Sequence, residues 1–451
     1  MTGRAAEVSL AVALAALITG VIAMPVLWAP AERVFGMEIV GRQPDPFTVM
    51  AQLAGPFASG IYSQPATDLP GAVLARAGGP VAGYNWLVLL TFPVSAGAAY
   101  LLARHLEIPP GGSLFAALAF AFSPFHLAHA AYHPHIAQVQ WIPLYLLALW
   151  RCLDRATPAT IAFLVVSIGG VTLSNFYGGL IAATLTPVAV VAYWFFKSRY
   201  SSATRHLAIT LAVLAASGVA GIAYASRVAP DLVAHPAAFA FTRADLFIHS
   251  AKWWSYLVPP VEHPVLGGFA RDVWQRAGVR DGLLEQQVSL GWAVIALGGV
   301  AVWIWFANRG ARAALGAVPI LVALALAALV CGLSPEREID GFRFVRPSSF
   351  LYTVVPMFRS YARFGVVVQL MAALLAGLGA QRLWSADTRP ARIACVLLVA
   401  LAAAEYAVWP PAMSRDVLPT SAHRWVVRQP GHVLALDCAA RTPATELVPW
   451  L

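Results

Sequence analysis

The chain has 451 residues, of which 59% are hydrophobic and only 11% are charged. Soluble domains contain roughly 45–50% apolar and about 25% charged residues, so this composition excludes a soluble globular protein. The formal net charge of +9 is typical of basic cytoplasmic loops in a membrane protein. Without a zinc-finger spacing or a basic run, the sequence does not indicate nucleic-acid binding, and its four cysteines imply no disulfide framework.

Apolar runs of about 17–25 residues predict membrane-spanning helices, because the hydrocarbon core of a bilayer is about 30 Å thick. The sequence contains about eleven such runs, which predict an all-α integral membrane protein. The predicted spans are residues 8–29, 81–103, 112–128, 136–151, 158–174, 177–196, 206–225, 287–307, 313–333, 364–383 and 391–410. We expect the first span to remain as an anchor, since no clear A-x-A cleavage site precedes a polar region; a cleaved signal peptide is the alternative.

Lys and Arg in the short loops predict the orientation of the chain. With the N-terminus in the cytoplasm, every second loop is short and basic. Residues 1–410 then form one polytopic membrane domain with long outer loops at 30–80, 226–286 and 334–363. The more polar tail, 411–451, is predicted to lie on the outer side and to begin a truncated soluble domain.

Asp45 is the candidate catalytic residue of the first outer loop. It lies between Pro44 and Pro46, which restrict its backbone, and Asp68 follows in a turn pattern as a candidate substrate-binding residue. A carboxylate near the membrane surface can accept a proton from a hydroxyl nucleophile, which is the role of a general base. The alternative is a solvated loop acid or a helix cap.

Four histidines lie within ten residues at the end of the third span: His126, His129, His133 and His135. The first three would share one face of a helix, although Pro134 limits any helix here. The pattern favours a polar pocket lip that holds sugar hydroxyls or a phosphate, with His129, His133 and His135 as candidate substrate-binding residues. Metal binding and interfacial histidines without a ligand remain alternatives.

Aromatic and basic residues mark the two later outer loops. Trp253 begins an aromatic group that suits either a membrane interface or the face of a sugar ring. The last outer loop is rich in arginine, whose planar fork suits phosphate oxygens, and Arg346, Arg359 and Arg363 are the candidate phosphate ligands. Interface anchoring is the alternative. Because the sequence has no Walker loop, GxSxG elbow, HExxH or Rossmann fingerprint, it does not support a soluble nucleotide as direct donor.

Several of these motifs together resemble those of one group of membrane proteins. They are Asp45-Pro46, the segment from Ala121 to His129 that leads to Gln140-Trp141-Ile142-Pro143-Leu144, the segment from Ser255 to Pro260 with His263-Pro264, and Tyr361-Ala362-Arg363-Phe364 with the segment from Leu375 to Gly379. Over about residues 30–385 the chain resembles the large bacterial membrane proteins allied to the GT-C glycosyltransferases.

This resemblance implies a GT-C fold with an active site on the outer face of the bacterial cytoplasmic (inner) membrane. Members of the group take a sugar from a polyprenyl-phosphate carrier and pass it to a lipid, glycan or protein acceptor. An acidic residue of the first outer loop acts as base or as metal ligand, and Asp45 matches it by position. The resemblance thus allows a divalent metal ion as cofactor, although the residues themselves imply none.

We therefore expect a glycosyltransferase that moves a hexosyl or pentosyl group from a polyprenyl-phosphate carrier. Asp45 would deprotonate an acceptor hydroxyl, and Arg359 and Arg363 would stabilise the departing phosphate. His129, His133 and Trp253 would line the sugar or acceptor site. The alternatives are a transporter or flippase of a lipid-linked glycan, which the nearly uncharged spans disfavour, and a non-catalytic membrane assembly protein.

Overall fold

The computed structural model describes residues 2–36, 49, 50, 53, 64–197, 203–279, 281–339 and 341–416. Helices account for most of these residues, which confirms the predicted helical membrane fold. Asp45 and the polar tail from residue 417 onward lie outside the described residues.

The described helices are numbered here in chain order. They are α1 Thr2–Ile22, α2 Met24–Trp28, α3 Pro65–Gly78, α4 Pro80–Leu89, α5 Thr91–His105, α6 Pro110–Ala121, α7 Pro124–Tyr132, α8 Trp141–Asp154, α9 Pro158–Ser174, α10 Phe176–Lys197, α11 Ala203–Val228, α12 Pro230–Ala234, α13 Arg243–Ile248, α14 Gly267–Arg276, α15 Trp292–Ala307, α16 Val318–Gly332, α17 Pro347–Val354, α18 Gly365–Trp384 and α19 Arg389–Glu405. Short 3-10 turns include Trp253–Leu257 and Tyr361–Phe364.

Seven helical segments in the described part of the chain are long and apolar enough to cross a membrane. They are Gly3–Ile22, Pro80–His105, Pro110–Tyr132, Phe176–Lys197, Thr204–Val228, Ala313–Gly332 and Tyr361–Trp384. Four shorter helices lie at the other four predicted spans: α8 has 14 residues, α9 has 17, α15 has 16 and α19 has 17. The structure therefore confirms a protein with several spans, while the predicted number of eleven stays a prediction.

Several predicted spans differ from the structure at one end, and two of them show a physical reason. The predicted span 8–29 is interrupted after Ile22, and the separate short helix α2 begins at Met24. Pro25 lies in its first turn, where its ring nitrogen carries no hydrogen to continue the bonding of α1. The predicted span 287–307 becomes helical only at Trp292, directly after Gly291, whose φ is +76°. A positive φ is incompatible with a right-handed helix, so the helix begins after Gly291, and residues 287–291 are not helical.

The helix α18 lies at the centre of the bundle and packs against α6, α15, α16 and α19. Small residues allow the close approach: a Cβ atom on Gly377 would overlap the carbonyl oxygen of Gly112 in α6. A Cβ atom on Gly379 would overlap the carbonyl oxygen of Leu297 in α15. The centre of the bundle is therefore closely packed, and it fixes the segments that enter and leave α18.

Two small antiparallel sheets lie in the loops. Strand β1, Arg33–Phe35, pairs with β4, Ser414–Asp416, so the first residues of the polar tail return to the start of the first long loop. Strands β2, Glu336–Ile339, and β3, Phe342–Val345, form a hairpin before α17.

Candidate functional site

A buried polar cluster forms where four loop-adjacent segments meet at one end of the bundle. We define the cluster as His129, His133, Tyr177, Glu285 and Arg363. The histidines come from the end of α7, Tyr177 from the start of α10, Glu285 from the loop before α15, and Arg363 from the 3-10 turn that precedes α18. Buried polar groups on a membrane helix bundle are costly unless paired, so the contacts within the cluster define its chemistry.

Arg363 and Glu285 form the centre of the cluster. The Arg363 Nε donates to both carboxylate oxygens of Glu285 at 3.1 Å, and Nη2 donates to Oε1 at 2.5 Å. The two side chains are only 9% and 6% exposed. The guanidinium also stacks over the Tyr177 ring at 4.0 Å from its centroid. This forked, stacked arrangement holds the arginine in one orientation.

Glu285 is ionised in this environment. Burial alone would raise the pKa of its carboxyl, but the Arg363 guanidinium and its hydrogen bonds outweigh burial and lower the pKa to about 2. The cluster therefore contains a permanent buried ion pair at neutral pH.

The histidine-rich segment is the stretch from His126 to His135, and its histidines have different contacts. His129 lies with its Nε2 3.9 Å from Glu285 Oε2 and its Nδ1 3.1 Å from His133 Nδ1. His126 points elsewhere, because its ring nitrogens contact Thr91 Oγ1 at 2.9 Å and the Ala121 carbonyl at 2.7 Å inside the core. Helix α7 ends at Tyr132, before His133, so the three histidines do not share one helical face.

His135 joins a second pair beside the cluster. Its Nε2 lies 2.8 Å from Asp68 Oδ1 in the first turn of α3. The carbonyl of His135 accepts a hydrogen bond from Asn175, at the junction of α9 and α10. These contacts attach the end of the first long loop to the histidine-rich segment.

The other end of the first long loop lies against the same segment. The Asn85 side chain accepts from the Phe35 N–H at 2.9 Å and donates to the carbonyls of Pro30 and Arg33. A Cβ atom on Gly36 would lie 3.0 Å from the carbonyl oxygen of Ala131 in the last turn of α7. Both chain ends flanking residues 37–63 therefore contact the histidine-rich segment. Asp45 itself is among the residues that the structure does not describe.

The remaining sequence-predicted site residues lie outside the cluster. The Arg359 guanidinium stacks over Phe241, 4.5 Å from the ring centroid. Arg346 donates to the Ser334 hydroxyl at 2.7 Å and to its carbonyl. Trp253 is 59% exposed in its 3-10 turn. Of the predicted binding residues, His129 and Arg363 both contact Glu285, His133 contacts His129, and Asp68 pairs with His135.

Several buried polar atoms near the cluster have no hydrogen-bond partner in the described part of the chain. Among described residues, His249 Nδ1, Tyr256 Oη and Tyr361 Oη are buried and have no hydrogen-bond partner. Burial lowers the pKa of His249, although the Glu285 carboxylate opposes the shift, so this imidazole is neutral at neutral pH. Buried polar atoms without partners are rare in proteins and indicate a place for a polar ligand or water.

Glu285 and Tyr177 are site residues that the sequence did not reveal as such. Glu285 lies 78 residues before Arg363, and no spacing rule connects them. One signal was present: Glu285-Gln286-Gln287 is a polar run at the start of an apolar segment, and all three residues are buried. The Gln286 side chain donates to the carbonyls of Ile248 and Ser250, which explains why the run is buried rather than exposed.

The described part of the chain contains no set of side chains that could bind a metal ion. No group of three or more His, Cys, Asp or Glu side chains there could hold one. His129 lies beside the Glu285 carboxylate, which is already paired with the Arg363 guanidinium.

Comparison with solved structures defines the class of fold. The archaeal oligosaccharyltransferase AglB from Archaeoglobus fulgidus, in complex with an inhibitory peptide and a dolichol-phosphate, is similar at TM-score 0.53 and 14% identity, over 94% of this chain and 58% of that one. The arabinofuranosyltransferase AftD from Mycobacteria is similar at TM-score 0.54 and 16% identity, over 93% of this chain and 28% of that one. The chain thus has the fold of GT-C membrane glycosyltransferases and spans less than two thirds of these two proteins.

The family follows from the sequence itself. Residues 63–406 match the family described as a domain of unknown function, DUF6311. The match covers most of the chain, and the protein belongs to this family. No curated protein shows significant sequence similarity to it.

Proposed function

We propose that the protein is a glycosyltransferase that moves a sugar from a polyprenyl-phosphate carrier to a lipid, glycan or protein acceptor at the outer face of the bacterial cytoplasmic membrane. The N-terminus would lie in the cytoplasm. One observation carries the proposal: in a GT-C fold, both ends of the loop that contains Asp45 contact the histidine-rich segment, which in turn contacts the buried Glu285–Arg363 pair.

The cluster suits the phosphate end of a lipid carrier. Arg363 would offer its positive charge to the phosphate, and His129 and His133 would add donors beside it. Glu285 and Tyr177 restrict the guanidinium to one orientation, which reduces the side-chain entropy lost when the phosphate binds. Three predicted binding residues lie outside the cluster and would contact the carrier or the acceptor: Arg359, Arg346 and Trp253.

The proposed reaction is an inverting displacement. The Asp45 carboxylate takes the proton of an acceptor hydroxyl as the hydroxyl oxygen forms a bond to the anomeric carbon of the sugar. The bond between that carbon and the phosphate oxygen breaks, and the electron pair leaves with the polyprenyl phosphate. Negative charge grows on the phosphate in this step, where Arg363 and the histidines would stabilise it.

Transfer of labelled sugar from a polyprenyl-phosphate donor in membranes tests the proposal. We expect Asp45→Asn to lower transfer by about 10²- to 10⁴-fold, since the amide cannot accept the proton. The control is Asp272→Asn, the same chemical change at an exposed aspartate that pairs with Arg276 in α14. Equal transfer by well-expressed Asp45→Asn and control proteins would remove Asp45 from the mechanism.

Lipid that copurifies with the protein separates the proposal from a non-catalytic assembly role. Mass spectrometry of the purified wild-type protein should detect a polyprenyl phosphate, and Arg363→Gln should reduce its amount at least about tenfold. Retention of the lipid by Arg363→Gln would show that the cluster does not bind the phosphate.

A further inference from the structure

A second polar site lies at the opposite end of the bundle from the buried polar cluster. It is a cavity of about 200 Å³, whereas the cavity beside Arg363 has a volume of about 20 Å³. Its polar wall comes from the first turn of α1, the last turn of α5 and the last turn of α8. We define this basic cavity by its three arginines, Arg4, Arg104 and Arg151.

The direct ion pairs around the basic cavity involve only one of its three arginines, although the Asp154 carboxylate lies near Arg151 and Glu107 lines the cavity. Arg104 Nε lies 3.2 Å from Glu7 Oε2, and Lys197 Nζ lies 2.9 Å from Glu107 Oε1. Within the described part of the chain, neither Arg4 nor Arg151 forms an ion pair. A cavity wall with two unpaired guanidinium groups attracts an anion, and the guanidinium fork fits phosphate oxygens.

The rest of the cavity wall is suited to a lipid. Val8 and Leu101 line it alongside the arginines, so apolar and basic surfaces adjoin. The volume of about 200 Å³ is below the roughly 300–1,000 Å³ of sites that enclose a whole drug-sized ligand, but it can admit a headgroup phosphate whose acyl chains remain in the bilayer.

The framework of the cavity is fixed by hydrogen bonds that do not involve the two unpaired arginines. The Tyr100 hydroxyl donates to Glu7 Oε2 at 2.8 Å, which ties α5 to α1. Arg104 Nη1 donates to the Ile108 carbonyl at 2.7 Å, and the His105 ring contacts the Tyr193 hydroxyl at 3.1 Å. The cavity is therefore built by neighbouring pairs, while Arg4 and Arg151 are available to a ligand.

We propose that the basic cavity binds the phosphate group of an anionic membrane lipid on the face that carries the N-terminus. The assignment is independent of glycosyl transfer, because none of its residues belongs to the buried polar cluster. Basic pockets between membrane helices bind lipid headgroups through this combination of charge and adjoining apolar surface.

Lipid titration of the purified full-length protein in detergent, followed by native mass spectrometry, tests this proposal. The probes are phosphatidylglycerol, phosphatidylcholine and inorganic phosphate. The double variant Arg4→Gln/Arg151→Gln should weaken phosphatidylglycerol binding at least about tenfold, since each basic residue contributes several-fold to anionic-lipid affinity. The matched control is Arg155→Gln/Arg205→Gln, which removes the same charge from two exposed arginines that do not line the cavity.

The expected result is preferential binding of phosphatidylglycerol by the wild type and the control, and its loss in the cavity variant. Equal weakening in both double variants would overturn the proposal, because it would reveal a general charge effect. Equal affinity for phosphatidylcholine, or binding of inorganic phosphate without the lipid, would also overturn it.

Discussion

At the scale of single residues, the Glu285–Arg363 pair explains how a charged site exists at the end of a membrane helix bundle. A buried charge is stable only when it is paired and hydrogen-bonded, and this pair has three hydrogen bonds and a stacked tyrosine. Arg363 could be recognised from the sequence as an outer-loop arginine next to a span. Its partner could not, because pairing over 78 residues depends on how the helices pack.

The pair makes a prediction about stability. Glu285→Gln should lower the free energy of unfolding by about 3–5 kcal/mol, since it leaves the Arg363 guanidinium buried without a counter-charge. Thermal unfolding of the purified protein in detergent measures the effect. Glu336→Gln is the matched control: this carboxylate pairs with Arg243 and Arg343 at the surface, where ion pairs contribute little. Similar losses in both variants would contradict the structural role of the buried pair.

The same pair predicts a particular pH dependence. The pKa of the Glu285 carboxyl is lowered from 4.5 to about 2, so its contribution to stability is complete above about pH 4.5 and is lost as the pH falls towards 2. The difference in melting temperature between wild type and Glu285→Gln should be constant from pH 7 to pH 5 and should shrink below that range. A difference that already declines between pH 7 and pH 5 would show that Glu285 titrates near its ordinary pKa.

At the scale of elements, the sequence predicts the presence of each helix better than its first residue. Hydropathy located helices at all eleven predicted spans because an apolar run of that length has few other stable states in a bilayer. Hydropathy did not predict the non-helical segment before Trp292, where the Gln369 side chain donates to the carbonyls of Val288 and Ser289. A tertiary contact of this kind leaves no periodic pattern in the sequence.

The close packing of α18 against α15 leads to a prediction about the stability of the bundle. Gly379→Ala should destabilise the bundle, because the new methyl group would overlap the Leu297 carbonyl oxygen and force α15 and α18 apart. We expect a loss of about 1–3 kcal/mol or failure to assemble, measured by thermal unfolding and size-exclusion chromatography. Gly299→Ala on α15 is the control, since nothing lies within 4 Å of its added Cβ. A neutral Gly379→Ala would contradict this close contact.

Asn85 is predicted to position the first long loop from its place in α4. Asn85→Ala would leave the Phe35 N–H and the carbonyls of Pro30 and Arg33 without this partner. We expect faster proteolysis near residues 30–36 together with a fall in sugar transfer, as the loop carrying Asp45 loses its attachment. The control Asn308→Ala removes a cap at an exposed 3-10 turn at the far end of α15. Unchanged proteolysis and transfer in Asn85→Ala would exclude the positioning role.

At the scale of the whole molecule, the fold places two different polar sites at opposite ends of one helix bundle. The composition and the family resemblance were sufficient to predict a GT-C fold, which the similarity to AglB and AftD confirms. The composition and the resemblance were not sufficient to predict which outer-loop arginine would lie in the cluster with His129 and Glu285. Arg359 and Arg363 are four residues apart, yet one stacks on Phe241 and the other pairs with Glu285, because no continuous helix joins them.

Release of labelled sugar from polyprenyl phosphate by the purified protein in liposomes tests the central claim most directly. With polyprenyl-phosphate sugars as donor and lipid and glycan acceptors, both extracted from the native membranes, the wild-type protein should transfer sugar. Asp45→Asn should reduce the rate by about 10²-fold or more, and Asp272→Asn should not. A folded wild-type protein that turns over no donor, or an Asp45→Asn protein that matches the wild-type rate, would contradict the account.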